Sequence, residues 1–247
     1  MSQNVYDDPD FFAAYSSLDR SVDGLDAAFE WPAMRALLPP VAGRRVVDLG
    51  CGFGWFCRWA AEQGAASVLG LDLSERMLER AVRDTDDERI TYRRADIAAP
   101  EVPEAAFDLA YSSLALHYLP QVDHVFADVR KALVPGGVLV ASVEHPVHTA
   151  PSSPGFVTRP QGHPVWQLDS YFRPGPRTTD WLAPGVVKHH RTVAGYVGAL
   201  LRAGFTLTAL EEWSPSDDWV AEHPDWAPEQ ERPLFLLLSA VVGRVAP

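Results

Sequence analysis

Three alternating glycines, Gly50, Gly52 and Gly54, follow the apolar run Val46-Val47-Asp48-Leu49 and lead into Trp55-Phe56. Glycine admits positive φ and leaves main-chain N–H groups unshielded by a Cβ, so this strand-to-helix turn can cradle a nucleotide-like ligand. A dinucleotide fingerprint would place its last glycine at position 55, which is Trp55. Asp72, about 20 residues beyond the turn, stands where a carboxylate can accept from both hydroxyls of a ribose. Asp96 could accept from an adenine amino group, with Ile97 packed on the ring. Taken singly, each has a plainer reading: glycines in a tight packing turn, Asp72 capping the next helix, Asp96 solvating a loop. A second set of residues suits proton transfer. His117, the pair Glu144-His145, and His190 within Lys188-His189-His190 carry the imidazoles and carboxylate that a general base near neutral pH requires. A carboxylate beside an imidazole raises its basicity and fixes its tautomer, although neighbours along a strand point to opposite faces.

These residues need elements to hold them. Apolar runs at 45–49, 67–71, 90–94, 107–112 and 138–143 read as strands, and amphipathic stretches between them as helices. The helices expected are 55–62, one after the N-cap Ser74, a weak 101–106 that is as readily a loop, and 122–133, ended by Pro135-Gly136-Gly137. Such alternation means a parallel sheet. The region 1–42 reads as a helical N-terminal portion. From 144 to 190 the periodicity breaks among prolines, glycines and aromatics, as in a lid or binding loop. Trp166, Tyr171, Phe172 and Trp181 within it offer flat apolar faces to a planar ligand, or simply form its own core. A helix at 192–203 capped by Thr192, a strand at 205–210 and an apolar strand at 234–242 complete the pattern.

Composition narrows the class. With 247 residues, 47% hydrophobic and 22% charged, one globular domain with an elaboration is expected. A net charge of −12, from 21 basic and 33 acidic residues without a basic run, argues against nucleic acid. The polar, acidic 1–10 segment is unlike a signal peptide, and no apolar run is long enough to span a bilayer, so neither export nor a membrane partner is expected and the location expected is cytoplasmic. Cys51 and Cys57 alone give neither a disulfide framework nor a metal spacing, and His189-His190 lack a third ligand, so no metal is expected.

Together the glycine turn, Asp72 and Asp96-Ile97 make the chain resemble the class I S-adenosylmethionine-dependent methyltransferases from Arg44 onward. The resemblance implies S-adenosylmethionine as cofactor and a Rossmann-like, doubly wound α/β sheet of seven strands with the last antiparallel. N-terminal helices and a cap inserted after strand five would complete one domain: cover 1–42, cofactor core 43–143, cap 144–190 and the rest of the sheet 191–247. By position it implies that Gly50, Cys51 and Gly52 meet the amino acid end of the cofactor, Asp72 and Leu73 the ribose, and Asp96 and Ile97 the adenine. Met77 on the following helix joins this set, Asp48 orients the turn or holds the methionyl ammonium, and Ser112 lies near the methionyl group. Tyr6-Asp7-Asp8-Pro9-Asp10-Phe11-Phe12-Ala13-Ala14-Tyr15 looks like the entry helices of small-molecule members, with Tyr15 and Arg20 set to reach the methionyl carboxylate or else occupying core and surface.

The expected reaction is in-line methyl transfer to oxygen, nitrogen or carbon of a small molecule, assisted by a histidine base drawn from His117, Glu144-His145 and His190. A nicotinamide-dependent oxidoreductase would use the same sheet and Asp72, but Trp55 and the Asp96-Ile97 pair argue against it. A noncatalytic cofactor-binding module shares every feature of the turn. The acceptor and the oligomeric state stay open at this level.

Overall fold

The computed structural model describes residues 3–243, so residues 1–2 of the expected cover and 244–247 of the C-terminal portion lie outside the described residues. Eleven strands are described, β1 (Arg45–Leu49), β2 (Ser67–Asp72), β3 (Ile90–Arg94), β4 (Phe107–Ser113), β5 (Leu133–Glu144), β6 (Phe156–Thr158), β7 (Pro164–Trp166), β8 (Gly175–Thr179), β9 (Val186–His190), β10 (Phe205–Trp213) and β11 (Phe235–Val242). The helices are α1 (Pro9–Ser16), α2 (Asp19–Val22), α3 (Trp31–Leu37), α4 (Trp55–Glu62), α5 (Glu75–Arg83), α6 (Asp123–Ala132), α7 (Pro146–Thr149), α8 (Val193–Arg202) and α9 (Asp217–Glu222).

Seven strands form one sheet in the order β10-β11-β5-β4-β1-β2-β3. Strands β1 to β5 pair in parallel, and β11 runs antiparallel to both its neighbours. The order reverses beside β1, which opens a crevice at the carboxyl ends of β1 and β4, where open α/β sheets bind ligands. Alternation along β1 explains the two faces. Val47 and Leu49 join a cluster with Val125, Phe126 and Val129 of α6 and Leu200 of α8, while Val46 joins Met34 of α3 and Phe56 and Ala60 of α4.

Helix starts follow local chemistry. Ser74 Oγ accepts from the Met77 N–H at 3.1 Å and Thr192 Oγ1 from the Gly195 N–H at 3.0 Å, so each satisfies a donor that the first turn leaves without a partner. Asp8 caps α1 through the N–H groups of Asp10 and Phe11. Residues 101–106 form the loop that their weak pattern equally allowed. Two stretches depart from the sequence pattern. Pro135-Gly136-Gly137 does not separate α6 from the next strand: β5 already begins at Leu133, which pairs with Phe107, and the register shifts before Val138 pairs with Leu109. The region 144–190 is not one irregular loop but carries α7 and two antiparallel hairpins, β6-β7 and β8-β9. Among the described residues, no helix is long and apolar enough to cross a membrane.

Candidate cofactor and acceptor site

The three glycines do three different things. Gly50 turns the chain at φ +82°, and a Cβ there would stand 2.5 Å from Ala115 Cβ. Gly54, at φ +76°, is pressed against Tyr92, whose hydroxyl would lie 2.1 Å from such a Cβ. Gly52 has φ +52° and no protein atom within 4 Å of the same position, so it alone leaves space beside the main chain. Trp55, at the position a dinucleotide fingerprint reserves for glycine, packs its ring on Gly24 and under the Arg58 guanidinium, 4.6 Å from the ring centroid. This indole ties the N-terminal cover to the start of α4.

Asp72 secures the turn from the side. Its Oδ2 accepts from the Gly52 N–H and its Oδ1 from the Ser74 N–H, both at 2.9 Å, leaving each oxygen a further lone pair. Burial raises its pKa against these hydrogen bonds. Along the adjoining cleft lie Leu73, Met77, Asp96 and Ile97 at one end and Tyr15, Arg20, Ser113, His117 and Glu144 at the other, with Gly50 and Gly52 between them. Asp96 Oδ1 also accepts from the Ala98 N–H at 3.0 Å. Arg20 is fixed by Glu30 at 3.0 Å, and Tyr15 lies within a ring cluster of Tyr6, Phe11, Phe53 and Trp181.

Asp48, Cys51 and Ser112 do not line the cleft. Asp48 is buried below the turn, where it accepts from Cys57 Sγ at 3.4 Å and burial pushes its carboxyl up to about 7. Cys51 is buried beside Gly70, with its thiol raised by burial. Ser112 donates to the Leu49 carbonyl at 2.8 Å inside the sheet, because β4 turns its side chain inward. Its neighbour Ser113 points into the cleft instead.

The histidines separate just as sharply. His117 lines the cleft, but its Nδ1 accepts from the Glu144 N–H at 3.3 Å, so the neutral ring carries its proton on Nε2 and is a donor there. Burial brings its pKa down to about 4. His145 follows Glu144 but points away, accepting from Val147 N–H at 3.0 Å and donating from Nε2 to Glu212 on β10 at 2.8 Å. His190 is spent on the Thr149 hydroxyl and the Tyr171 carbonyl, at 2.8 and 2.9 Å. Neither His145 nor His190 reaches either cavity. Thus the adjacent Glu144 and His145 form no dyad.

Glu144 does face the site. Burial would raise its pKa, but Lys188, with a 2.5 Å hydrogen bond from its Nζ, and His117 and His148, charged once acid protonates them near pH 4, hold the carboxyl at about 2. Glu144 lines both this cleft and a second chamber of about 770 Å³, as do Arg20, Leu114 and Trp181, so the two spaces adjoin along these residues. Of the four insertion aromatics expected to face a planar ligand, only Trp181 reaches this junction. Trp166 stacks on Arg232 at 4.1 Å and donates to the Val147 carbonyl, Tyr171 holds the Val193 N–H, and Phe172 is 87% exposed.

Two residues of the chamber escaped the sequence reading. Lys188 is buried with its Nζ 4.8 Å from the Trp181 ring centroid, and His148 lines the chamber wall with its Nδ1 buried and unpartnered. Their only signal was position, four residues along the chain from Glu144 and two before His190. The N-terminal segment packs onto this region. Tyr6 donates to Tyr118 at 3.2 Å, Asp7 accepts from Ser74 Oγ at 2.5 Å, and Gln3 bonds both Gly185 and Val187.

Comparison with known proteins agrees with this architecture. Residues 47–141 match the family model described as a methyltransferase domain. A crystal structure of an S-adenosylmethionine-dependent methyltransferase from Mesorhizobium loti is 56% identical, with a TM-score of 0.85 over 88% of this chain and 100% of that one. A putative S-adenosylmethionine-dependent methyltransferase from Listeria monocytogenes is 39% identical, with a TM-score of 0.80 over the same shares. An uncharacterized protein of Haemophilus influenzae is 31% identical over 96% of both chains.

Proposed function

Because the chain belongs to the S-adenosylmethionine-dependent methyltransferase family, we propose that it moves the methyl group of that cofactor to a small molecule held in the chamber beneath the cap. The observation that carries this reading is the junction at Glu144, where the cofactor cleft and the chamber share a wall formed with Arg20, Leu114 and Trp181. The residues present fit the cofactor. Asp72 keeps lone pairs for two ribose hydroxyls, Leu73, Met77 and Ile97 form an apolar slot with Asp96 for a planar base, and Gly52 leaves room for close approach. Arg20 and Tyr15 stand at the far end for a carboxylate, and Asp48 lies below the turn, bonded to Cys57 of α4.

When bound, S-adenosylmethionine supplies a carbon activated by its sulfonium, so the chain has chiefly to align a nucleophile and exclude water. The cover and cap exclude water through Tyr6, Gln3 and Trp181. Glu144, ionised at neutral pH and braced by Lys188, is positioned to accept a hydrogen bond from the acceptor. His117 donates from Nε2 and orients rather than deprotonates. The ring free to take a proton in the chamber is His148, which replaces His145 and His190 as the histidine base. Its pKa, lowered to about 4 by burial, leaves it neutral at physiological pH. The acidic chain and a chamber of about 770 Å³ support a small cytoplasmic acceptor over nucleic acid or a membrane, in a single domain whose cover, core and cap share one site.

The test is a screen of a metabolite extract with methyl-labelled cofactor, read by one-methyl mass gain, beside calorimetry with S-adenosylhomocysteine. Labelled small molecules and binding of S-adenosylhomocysteine are expected. Label found only in protein or RNA would overturn the small-molecule reading.

A further inference from the structure

Four basic side chains, Arg20, Arg173, Arg177 and Lys188, line the chamber, against a single acid, Glu144, in a chain whose net charge is −12. Two of the cations are already accounted for: Arg20 pairs with Glu30 at 3.0 Å and is assigned to the cofactor's carboxylate, and Lys188 pairs with Glu144 at 2.5 Å. Arg173 and Arg177 form no ion pair among the described residues. Arg177 donates from Nε, Nη1 and Nη2 to the carbonyls of Ala150, Pro176 and Arg173, at 3.3, 3.2 and 2.8 Å. Carbonyl partners fix a guanidinium without cancelling its charge. Asp169, which does not line the chamber, is engaged first by the N–H and hydroxyl of Ser152 at 2.8 and 2.7 Å, with the Arg177 charge a smaller influence on it.

An independent feature points the same way toward a ligand. His117, His145 and His190 all have hydrogen-bond partners for their Nδ1 atoms, whereas His148 Nδ1 is buried with none. A buried polar group without a partner is costly, and it marks a place where something else completes the wall.

We infer that the chamber selects a methyl acceptor bearing a carboxylate or similar small anionic group, held by the charge of Arg173 and Arg177, with a further polar group reaching His148. This rests on the methyl-transfer reading of the adjoining cleft. Immobilising Arg177 in advance reduces the ordering cost of binding, which favours recognition of a compact anion over a neutral isostere.

The test uses the full chain saturated with S-adenosylhomocysteine and three probes of like shape, benzoate, benzyl alcohol and benzylamine, titrated by ligand-observed NMR. Benzoate is expected to bind most tightly. Arg173→Gln and Arg177→Gln should each weaken benzoate about tenfold, the effect of losing one charged contact, and leave benzyl alcohol and S-adenosylhomocysteine unchanged. Arg177→Lys, which keeps the charge, should retain the benzoate preference, and the exposed Arg173 guards against a folding defect in the Arg177 variants. A preference for benzylamine would make Glu144 the selector and overturn the inference, as would equal binding of all three or indifference to both substitutions. In those cases intact binding of S-adenosylhomocysteine leaves the methyl-transfer reading standing. Failure to bind S-adenosylhomocysteine would overturn both.

Discussion

Replacing the three turn glycines one at a time by alanine separates ligand space from packing. At all three positions φ is positive, +82° at Gly50, +52° at Gly52 and +76° at Gly54, so every alanine incurs the left-handed backbone cost of about 1–2 kcal/mol. Beyond that the sites diverge. The new methyl at position 54 would overlap the Tyr92 hydroxyl at 2.1 Å, and that hydroxyl is held in turn by Thr85 at 2.9 Å. At position 50 it would overlap Ala115 Cβ at 2.5 Å, a short side chain with no rotamer to escape into. Overpacking of this kind adds about 1–3 kcal/mol. The methyl at position 52 meets no protein atom within 4 Å and adds nothing. For a chain of this size, about 2–4 °C of Tm per kcal/mol puts Gly52→Ala a few degrees below the native protein and Gly50→Ala and Gly54→Ala about twice as far. Thermal denaturation with and without S-adenosylhomocysteine reads both effects. Gly52→Ala should retain most of its intrinsic stability yet lose most of the ligand-induced rise in Tm, because its methyl occupies space that the cofactor needs. If Gly52→Ala is stabilised by S-adenosylhomocysteine as strongly as the native chain, the space beside Gly52 is not cofactor space and the reasoning fails.

Asp72→Ala should weaken S-adenosylhomocysteine by about 1.5–3 kcal/mol, the worth of hydrogen bonds to a charged group, and calorimetry giving an unchanged Kd would remove Asp72 from the ribose site. Ser113→Ala should alter cofactor or acceptor binding while Ser112→Ala lowers Tm with binding intact; the reverse result would mean that β4 presents its other face. Once an acceptor is in hand, His148→Gln should lower kcat far more than His145→Gln or His190→Gln, which should act through stability, and equal kcat losses would refute the assignment. Asp48 gives a pH signature. Its folded pKa of about 7 lies above the ordinary 3.8, so the folded state retains the proton longer and stability from this group falls as pH rises from about 4 to 7. Asp48→Asn should flatten that slope in denaturant titrations, and an unaltered slope would show that the carboxyl is ionised when buried.

The sequence by itself determined the elements of the cofactor half. A glycine turn, an N-cap at Ser74 and periods of two and 3.6 are set by contacts a few residues long, so the starts and ends of β1, α4 and β3 could be read off directly. Asp72 and Asp96 fell at strand ends for the same reason, and the antiparallel last strand was an implication of the family resemblance. Which side chains face the cleft is decided only in three dimensions. One residue of register along β4 exchanges Ser112 for Ser113, and one along β5 sends Glu144 into the site and His145 to β10. Pairing distances explain the rest. Lys188 reaches Glu144 across 44 residues and Thr149 takes up His190 across 41, contacts made by the folding of β8-β9 back over β5 and invisible to any local pattern. The cap lacked periodicity because its short hairpins are held by such distant partners, and it is therefore in the cap that tertiary structure, rather than sequence spacing, decides which imidazoles are hydrogen-bonded and which nitrogen, His148 Nδ1, has no partner.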